Sequence, residues 1–456
     1  MTKQQKLILF ISILASFVSF LDGSVVGVAL PAISAELGGG LVVQQWVNDA
    51  YLITLGTLIL AAGSFSDIFG RKKILIIGLY SFLATSLLCA IAPTSEFLIV
   101  SRALQGVAGA LLVPSSLALI IAGFSGSAQS KAIGSWTAWT GIAFILGPLV
   151  GGLLVDLVSW RLVFAINIVP IAGALLLIRH LQLEDAVSSK AKVDWAGIIL
   201  GAVGLGGVVY ALIEQANFGW SNPLIYGTFI GGVIALIAFI WHERKTAQPM
   251  LPLEVFNVRN FSVGNVATFF VYAALALQGF LLVIFLQEVA NYSAVAAGLA
   301  SVPVTIILFL LSSRFGALSG KYGPRLFMGL GPIISAIGIL LMLQITVPTN
   351  YWTQLLPGTI LFGLGLAVTV APLTSAILGS IQVSQAGIGS AINNAVSRIA
   401  GLLAIAVIGM FIGTQMSLES FHQGLMICAI LLFIGGIVSA LGIQNDFQSK
   451  RADKNT

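Results

Sequence analysis

Long apolar stretches recur along the whole chain, and they constrain its fold more than any other sequence feature. Stretches of about 20 residues, the length that a helix needs to cross the hydrocarbon core of a bilayer, follow one another almost from end to end. With 58% hydrophobic and 8% charged residues and a mean hydropathy of +1.04, the chain has too little charge to cover a water-soluble surface. We therefore predict an all-α polytopic membrane protein.

Breaks at charges, prolines and polar clusters divide the sequence into fourteen predicted membrane spans. They lie near 7–30, 46–66, 74–92, 97–122, 132–155, 162–180, 195–213, 222–241, 261–286, 294–313, 326–345, 352–378, 387–413 and 422–443. Because this number is even, both termini are predicted to lie on the same side of the membrane.

The basic residues collect in alternate connections between these spans. All but three of the 21 Lys and Arg residues fall in the terminal segments or in the loops on the side of the termini. Since cytoplasmic loops are enriched in Lys and Arg, both termini are predicted to be cytoplasmic. The exceptions are Arg161 in a short outer loop, and Arg102 and Arg398 inside spans. This orientation signal explains the net charge of +5 better than nucleic-acid binding does.

The sequence shows no pattern typical of a metal site, a disulfide framework or a nucleotide-binding loop. Cys89 and Cys428 lie far apart in apolar stretches, and His180, His242 and His422 lie at span ends without ligand spacing. A G-x-x-x-x-G-K-[ST] loop is absent, so ATP is not expected to be the direct energy source. We predict no cofactor.

Two cytoplasmic loops repeat one another. The loop GSFSDIFGRK at 63–72 aligns without a gap with GALSGKYGPR at 316–325, and each joins the second and third spans of a six-span half. A duplicated bundle follows. We predict an N-terminal six-helix bundle at 1–180, a linker with two additional spans at 181–260, and a C-terminal six-helix bundle with a short tail at 261–456.

Six segments in order along the chain carry a resemblance to a known family. They are LDGSVVGVALP at 21–31, WVNDAY at 46–51, GSFSDIFGRKK at 63–73, RALQGVAGA at 102–110, GIAFILGPLVGG at 141–152 and WRLVFAINIVP at 160–170. The chain resembles the major facilitator superfamily, specifically its fourteen-helix drug:proton antiporters of the EmrB/QacA type. The resemblance implies the major facilitator fold, with two six-helix bundles and two extra linker helices.

Asp22 is the outstanding ionisable position in the predicted spans. A carboxylate about 12 Å from the outer end of the first span costs roughly 2.5–3.5 kcal/mol on insertion scales if it faces lipid. We expect it to face an aqueous cavity, where alternate wetting and drying would let it bind and release a proton. In the resembling family, an aspartate at this position has coupling or cation-binding roles. The alternative is a carboxylate satisfied by capping or packing partners.

Arg102 lies at a similar depth in the fourth span and requires a charge partner. The resemblance implicates this arginine in proton transfer, in which it holds or releases a carboxylate of the first or second span. The alternative is a fixed structural ion pair. Gln105, three residues further along, is predicted to share the face of Arg102.

Asp49 lies near the outer end of the second span, where sequence position suggests that ionisation costs little. Exporters of divalent cationic drugs resemble this pattern, so a role in attracting cations is predicted. A solvated helix end is the alternative. The neighbouring Trp46 and Tyr51 are assigned to an interfacial aromatic belt.

The loop after the second span is interpreted as a cytoplasmic gate. Gly63 and Gly70 permit tight turns or close contacts, and Asp67 and Arg71 are four residues apart. The resemblance implies a latch between the cytoplasmic ends of the two halves. The second copy has Gly320 in place of Asp67, which argues against a symmetric latch. Plain inside-positive anchoring is the alternative.

The fifth span carries Gly147, Pro148, Gly151 and Gly152, which in lipid permit close packing and a bend. The resemblance identifies this run as the antiporter hinge and is the main reason for predicting export, although Ala143 stands where the common pattern has a glycine. Ordinary packing of small residues is the alternative.

Together these features predict a proton-coupled exporter of small organic, lipophilic or cationic compounds such as drugs, which works by alternating access as a monomer in a bacterial inner membrane. The predicted partners are the substrate, protons and the lipid bilayer, with no nucleic acid. A carrier of one specific metabolite or lipid on the same fold is the alternative. A membrane-embedded enzyme or receptor would need a catalytic constellation or a sensor domain, and the sequence shows neither.

Overall fold

A computed structural model describes residues 1–182, 193–382, 385–413 and 415–445, and these residues form helices and connections without a strand. Some of the charged positions considered above lie outside the described residues. They are the side chain of Asp67 and the basic residues Lys190, Lys192, Lys450, Arg451 and Lys454.

The described part of the chain contains fourteen apolar helices, which match the predicted spans in number and order. They are α1 Lys3–Leu37, α2 Gly40–Phe69, α3 Arg71–Ala90, α4 Ser95–Gly123, α5 Gly126–Leu157, α6 Leu162–Ile178, α7 Trp195–Phe218, α8 Pro223–Lys245, α9 Arg259–Val289, α10 Ala294–Tyr322, α11 Pro324–Gln344, α12 Tyr351–Gly379, α13 Ala386–Ile412 and α14 Leu418–Gly442. Thirteen are long and apolar enough to cross a membrane, and α6 is a shorter apolar helix. The chain is an integral, multi-pass membrane protein.

Several helices extend beyond the spans predicted from hydropathy because polar residues cap them. Thr2 accepts a hydrogen bond from the Gln5 amide at 3.2 Å, and the Gln5 side chain accepts one from the Thr2 amide at 3.0 Å. This capping box starts α1 four residues before its apolar run. In α6 the regular helix is instead interrupted at Ile166 and Asn167, in the middle of a continuous apolar run.

The chain divides into two compact units. The first contains Met1–Leu251, Leu286–Leu299 and Ile405–Met416, and the second contains Pro252–Phe285, Ala300–Ala404 and Ser417–Thr456. The end of α9, the start of α10 and the end of α13 therefore group with the first unit. The bundle boundaries predicted at 180 and 260 stay a prediction.

Small residues set the packing inside each unit. In the first unit α1 packs on α4, α5 and α6, while α2 packs on α4 and α7. A Cβ atom on Gly106 of α4 would lie 2.2 Å from the Tyr51 carbonyl oxygen of α2, so these backbones are in contact. In the second unit a Cβ atom on Gly338 of α11 would lie 2.4 Å from the Phe362 amide nitrogen of α12. Since lipid tails are as apolar as leucine, such close approach is what holds membrane helices together.

The two repeated loops adopt the same backbone geometry. Gly70 ends α2 with φ 96° and donates to the Ser66 carbonyl at 3.1 Å, and Gly323 ends α10 with φ 88° and donates to the Ser319 carbonyl at 2.9 Å. A positive φ strains any residue with a Cβ atom, which explains why glycine occupies both positions. The repeat seen in the sequence is therefore also a repeat in local structure.

Candidate functional site

Asp22 lies in a closed network of hydrogen bonds inside the first unit. Its Oδ2 accepts a hydrogen bond from the guanidinium of Arg102 at 2.6 Å. Its Oδ1 accepts hydrogen bonds from Gln105 Nε2 at 3.0 Å and from Asn167 Nδ2 at 2.9 Å. Asp22 is 0% exposed and Arg102 is 1% exposed. The charge of the carboxylate is thus paired with that of Arg102, and both of its oxygens accept hydrogen bonds from protein groups.

Arg102 fixes this network to the neighbouring helices. Its Nε donates to the Val47 carbonyl of α2 at 3.0 Å, and its guanidinium carbon lies 4.3 Å from the centre of the Tyr51 ring. Ser86 of α3 accepts a hydrogen bond from Gln105 at 2.9 Å. The network therefore connects α1, α2, α3, α4 and α6 through buried polar contacts.

This geometry corrects one sequence-based expectation and confirms two others. Tyr51 is 2% exposed and does not belong to an interfacial belt. Asp22 is buried in the state described, and its exposure to an aqueous cavity in another state stays a prediction. Arg102 has the carboxylate partner that its depth required, and Gln105 shares its face. Asn167 was missed, although an amide side chain inside the apolar run WRLVFAINIVP was a signal that could have found it.

Asp49 is a buried carboxyl group of this unit that has no cationic partner among the described residues. It is 0% exposed, so the expectation of a solvated helix end is wrong. Its Oδ1 accepts a hydrogen bond from Asn48 Nδ2 at 2.9 Å, and its Oδ2 has no hydrogen-bond partner in the described part. Since α2 begins at Gly40, Asp49 lies about 14 Å along the helix from its outer end.

The face of α2 that carries Asp49 is covered by the end of α13. Gln45, one helical turn before Asp49, is 0% exposed and donates a hydrogen bond from Nε2 to the backbone carbonyl of Ile405. A Cβ atom on Gly409 would lie 3.3 Å from the Gln45 side-chain oxygen, so the glycine makes room for this amide. The segment Ile405–Met416 therefore closes over the region of Asp49 within the first unit.

Two further hydrogen bonds attach the segment Leu286–Leu299 to the same outer region. Gln44 of α2 donates to the Glu288 carboxylate at 2.5 Å, and Gln287 donates to the Val28 carbonyl of α1 at 3.1 Å. In both hydrogen bonds the donor is the side-chain amide of a glutamine. Because an amide is neutral, breaking either bond exposes no charge on the glutamine.

Asp156, at the end of α5, caps the first turn of α10. Its two carboxylate oxygens accept hydrogen bonds from the backbone amides of Ala294 and Val295, each at 2.9 Å. Free amides at a helix start carry partial positive charge, so a carboxylate there is favourable. We call this contact, with those of Gln44, Gln45 and Gln287, the outer closure.

The glycines of the predicted hinge make close backbone contacts on two sides of α5. Cβ atoms on Gly147 and Gly151 would lie 1.9 Å from Ser24 Oγ and 2.5 Å from Val25 Cγ2, both on α1. A Cβ atom on Gly152 would lie 2.6 Å from the Val295 Cα atom, and one on Gly298 would lie 2.6 Å from the Pro148 carbonyl oxygen. The hinge role stays a prediction. Gly152 contacts α10 at Val295, one of the residues that Asp156 caps in the outer closure.

Replacing Gly152 with alanine is expected to destabilise the protein by about 1–3 kcal/mol, because the added methyl group overlaps backbone atoms of α10 that cannot rotate away. The thermal unfolding midpoint of detergent-purified protein measures this effect. Gly141→Ala on the same helix is the matched control, since its Cβ atom would meet no atom within 4 Å. Equal midpoints for the two variants would contradict the contact.

The structure places the predicted cytoplasmic gate residues at the end of α2 and the start of α3. Gly70 takes the left-handed turn described above, and Arg71 begins α3. Gly63 is exposed, and a Cβ atom there would meet nothing within 4 Å, so neither a turn nor a close contact requires glycine at this position. The latch itself stays a prediction.

Trp46 does not lie free at the interface. Its indole nitrogen donates to the Glu214 carboxylate of α7 at 2.7 Å, and its ring lies 6.0 Å from that of Tyr210. The second span of the first bundle is thereby joined to the first of the two linker helices.

The part of the chain that the structure describes contains fourteen apolar helices, duplicated loops and buried polar contacts within the helices, an architecture typical of secondary transporters. A family model for the Major Facilitator Superfamily matches residues 12–241 and 264–455. The chain belongs to this superfamily.

Its relatives include bacterial resistance proteins. The chain is 32% identical over 406 residues to the Methylenomycin A resistance protein of Bacillus subtilis, which covers 89% of this chain and 87% of that protein. It is 34% identical over 408 residues to a puromycin resistance protein of Streptomyces alboniger, with 88% and 80% covered. It is 30% identical over 423 residues to the multidrug resistance protein Stp of Mycobacterium tuberculosis, with 91% and 78% covered.

Solved structures of distant transporters share the fold. An auto-inhibited peptide transporter of the POT family matches with a TM-score of 0.71 at 14% identity, over 98% of this chain and 99% of that chain. The xylose transporter XylE from E. coli, in a partially occluded inward-open conformation, matches with a TM-score of 0.66 at 13% identity, over 98% and 99%. At this identity the likeness shows the fold alone.

Proposed function

We propose that this transporter is a proton-coupled exporter of small organic, lipophilic or cationic compounds such as antibiotics, and that it works by alternating access. The relatives support the substrate class, since they are resistance proteins for methylenomycin A, for puromycin and for several drugs. The glycine-rich run in α5 supports the direction of transport through its resemblance to the antiporter motif.

The observation that carries the proton coupling is the burial of Asp49 without a cation. Taking an unpaired carboxylate out of water costs several kcal/mol, even after the surroundings relax. The outer closure can therefore form readily over a neutral Asp49 and only at high cost over an ionised one. A proton taken up from the outer side thus favours closure of that side.

This preference gives the protein a coupling mechanism without covalent chemistry. The state with the outer closure formed binds the proton at Asp49 more tightly than the state in which Asp49 meets water. A proton gradient then biases the exchange between the two states, and a substrate that prefers the deprotonated state is moved in the opposite direction. Asp22 and Arg102 hold the helices around Asp49 in place, and their ion pair persists in both states.

Transport in reconstituted vesicles tests the proposal. An imposed pH gradient is expected to drive accumulation of puromycin and of unrelated lipophilic cations, and a protonophore is expected to abolish it. Equal accumulation with and without the pH gradient would overturn proton coupling. Gradient-driven transport of a single compound among many would instead favour the carrier of one metabolite or lipid.

A further inference from the structure

We infer that Gln45 transmits the protonation state of Asp49 to α13. Its side-chain oxygen accepts the proton of neutral Asp49, while its nitrogen holds the Ile405 carbonyl. The inference rests on the proposed proton-coupled function and adds the residue through which the proton acts on the outer closure.

Two unsatisfied acceptors lie on one face of α2. Gln45 Oε1 and Asp49 Oδ2 are both buried without a hydrogen-bond partner in the described part of the chain. Residues four apart on a helix are neighbours, with Cβ atoms about 5–6 Å from one another. Buried polar atoms are almost always hydrogen-bonded, and a single proton on Asp49 can satisfy both of these oxygens.

The orientation of the Gln45 amide follows from its other contact. A carbonyl oxygen can only accept, so the Gln45 atom that faces Ile405 must be the NH₂ group. The amide oxygen then lies beside Gly409, where only a donor can satisfy it. Neutral Asp49 is such a donor, and ionised Asp49 is not.

Loss of the proton from Asp49 changes which group of the Gln45 amide faces Asp49. An ionised Asp49 attracts the NH₂ group of Gln45, and a rotated amide would place its oxygen against the Ile405 carbonyl. Two acceptors in contact repel one another, so the end of α13 is released. Gly409 permits this rotation because it leaves space beside the amide.

Several of the charged groups on the helices around α2 have other described partners, and Glu96 at the start of α4 is exposed. Asp22 pairs with Arg102, Glu214 accepts from Trp46, and Glu288 accepts from Gln44. On α3 the charges Arg71, Lys72 and Lys73 lie at the opposite, cytoplasmic end, and on α13 Arg398 precedes Ile405 by about two turns. Glu36 of α1 pairs with Arg161 at 2.6 Å. Asp49 therefore titrates without an ion-pair partner in the described structure.

Labelling of one added cysteine from the outer side tests the inference. Ile408→Cys places a thiol in the end of α13, at a position that is 1% exposed while the outer closure is formed. In intact cells, its labelling rate with a membrane-impermeant maleimide, divided by that of Gln415→Cys at an exposed position just beyond the same helix, should be lower at acidic pH than at alkaline pH. The ratio removes the pH dependence of the thiol itself. The protein without the added cysteine gives the background from Cys89 and Cys428, which are both buried.

The Gln45→Met substitution keeps the size of the side chain and removes both hydrogen-bonding groups. We expect labelling at acidic pH to rise about tenfold, with little change at alkaline pH, because the hydrogen bond from Gln45 to Ile405 exists only while Asp49 is neutral. Gly409→Val should give the same pattern, since it displaces the amide from the α13 side. Gln278→Met, at a buried glutamine of α9, is the matched control and should leave both rates unchanged.

The outcomes separate this inference from the proposed function. A labelling ratio of the Ile408→Cys protein to the Gln415→Cys protein that does not vary with pH would count against proton control of the outer closure, and hence against the proposed function. A ratio that varies with pH, but changes equally at both pH values in Gln45→Met and Gly409→Val, would leave the function standing and overturn the role of Gln45.

Discussion

Replacing Arg102 with methionine is expected to destabilise the protein by about 3–5 kcal/mol, because it leaves the Asp22 carboxylate buried without its cation. Asp22 is 0% exposed in the described state. Thermal unfolding of the detergent-purified protein, followed by tryptophan fluorescence, measures the loss.

The double variant Asp22→Asn with Arg102→Met is the informative control. Removing both charges at once is often neutral for a buried ion pair, so most of the stability should return. Because the proposed proton site is Asp49, the double variant should also keep gradient-driven transport. If the double variant folds normally but its transport no longer depends on the pH gradient, Asp22 and not Asp49 would be the coupling residue.

The Asp49→Asn substitution is expected to remove the response to the pH gradient while leaving the fold intact. Asparagine has the shape of a neutral aspartic acid and can donate a hydrogen bond to Gln45, but it cannot lose a proton. With one proton exchanged per neutral substrate, a gradient of 1 pH unit sustains about a tenfold concentration ratio. In the variant this ratio should fall to about one.

Vesicle accumulation at several imposed gradients measures this effect, and Glu36→Gln is a suitable control. Glu36 is an acid of the outer region that is half exposed and pairs with Arg161. The control should keep the slope of accumulation against pH gradient. A slope in Asp49→Asn equal to that of the native protein would contradict the proposal.

The number and order of the helices could be predicted from the sequence because the bilayer demands long apolar runs and intrahelical hydrogen bonds. Their ends could not be predicted as well. Thr2 extends α1 into a polar segment by capping, and the interruption of α6 at Asn167 leaves no trace in hydropathy. Local hydrogen bonds decide such details, and composition does not report them.

The candidate site shows the same division. A charge such as Arg102 in an apolar run indicates that a partner exists, but the sequence left open whether the partner is a carboxylate of the first or of the second span. Whether a carboxylate faces water or protein depends on which helices surround it, and this is a property of the packing. For that reason sequence position placed Asp22 in a cavity and Asp49 in solvent, whereas the structure buries both.

Release of protons on substrate binding tests the central claim most directly. Purified transporter in weakly buffered detergent solution is mixed with a substrate identified in the vesicle assay, and a pH indicator reports the protons released. The native protein and the Asp22→Asn/Arg102→Met double variant should each release a proton on substrate binding, and Asp49→Asn should release none. Equal release from Asp49→Asn and the native protein would contradict the assignment of the exchangeable proton to Asp49.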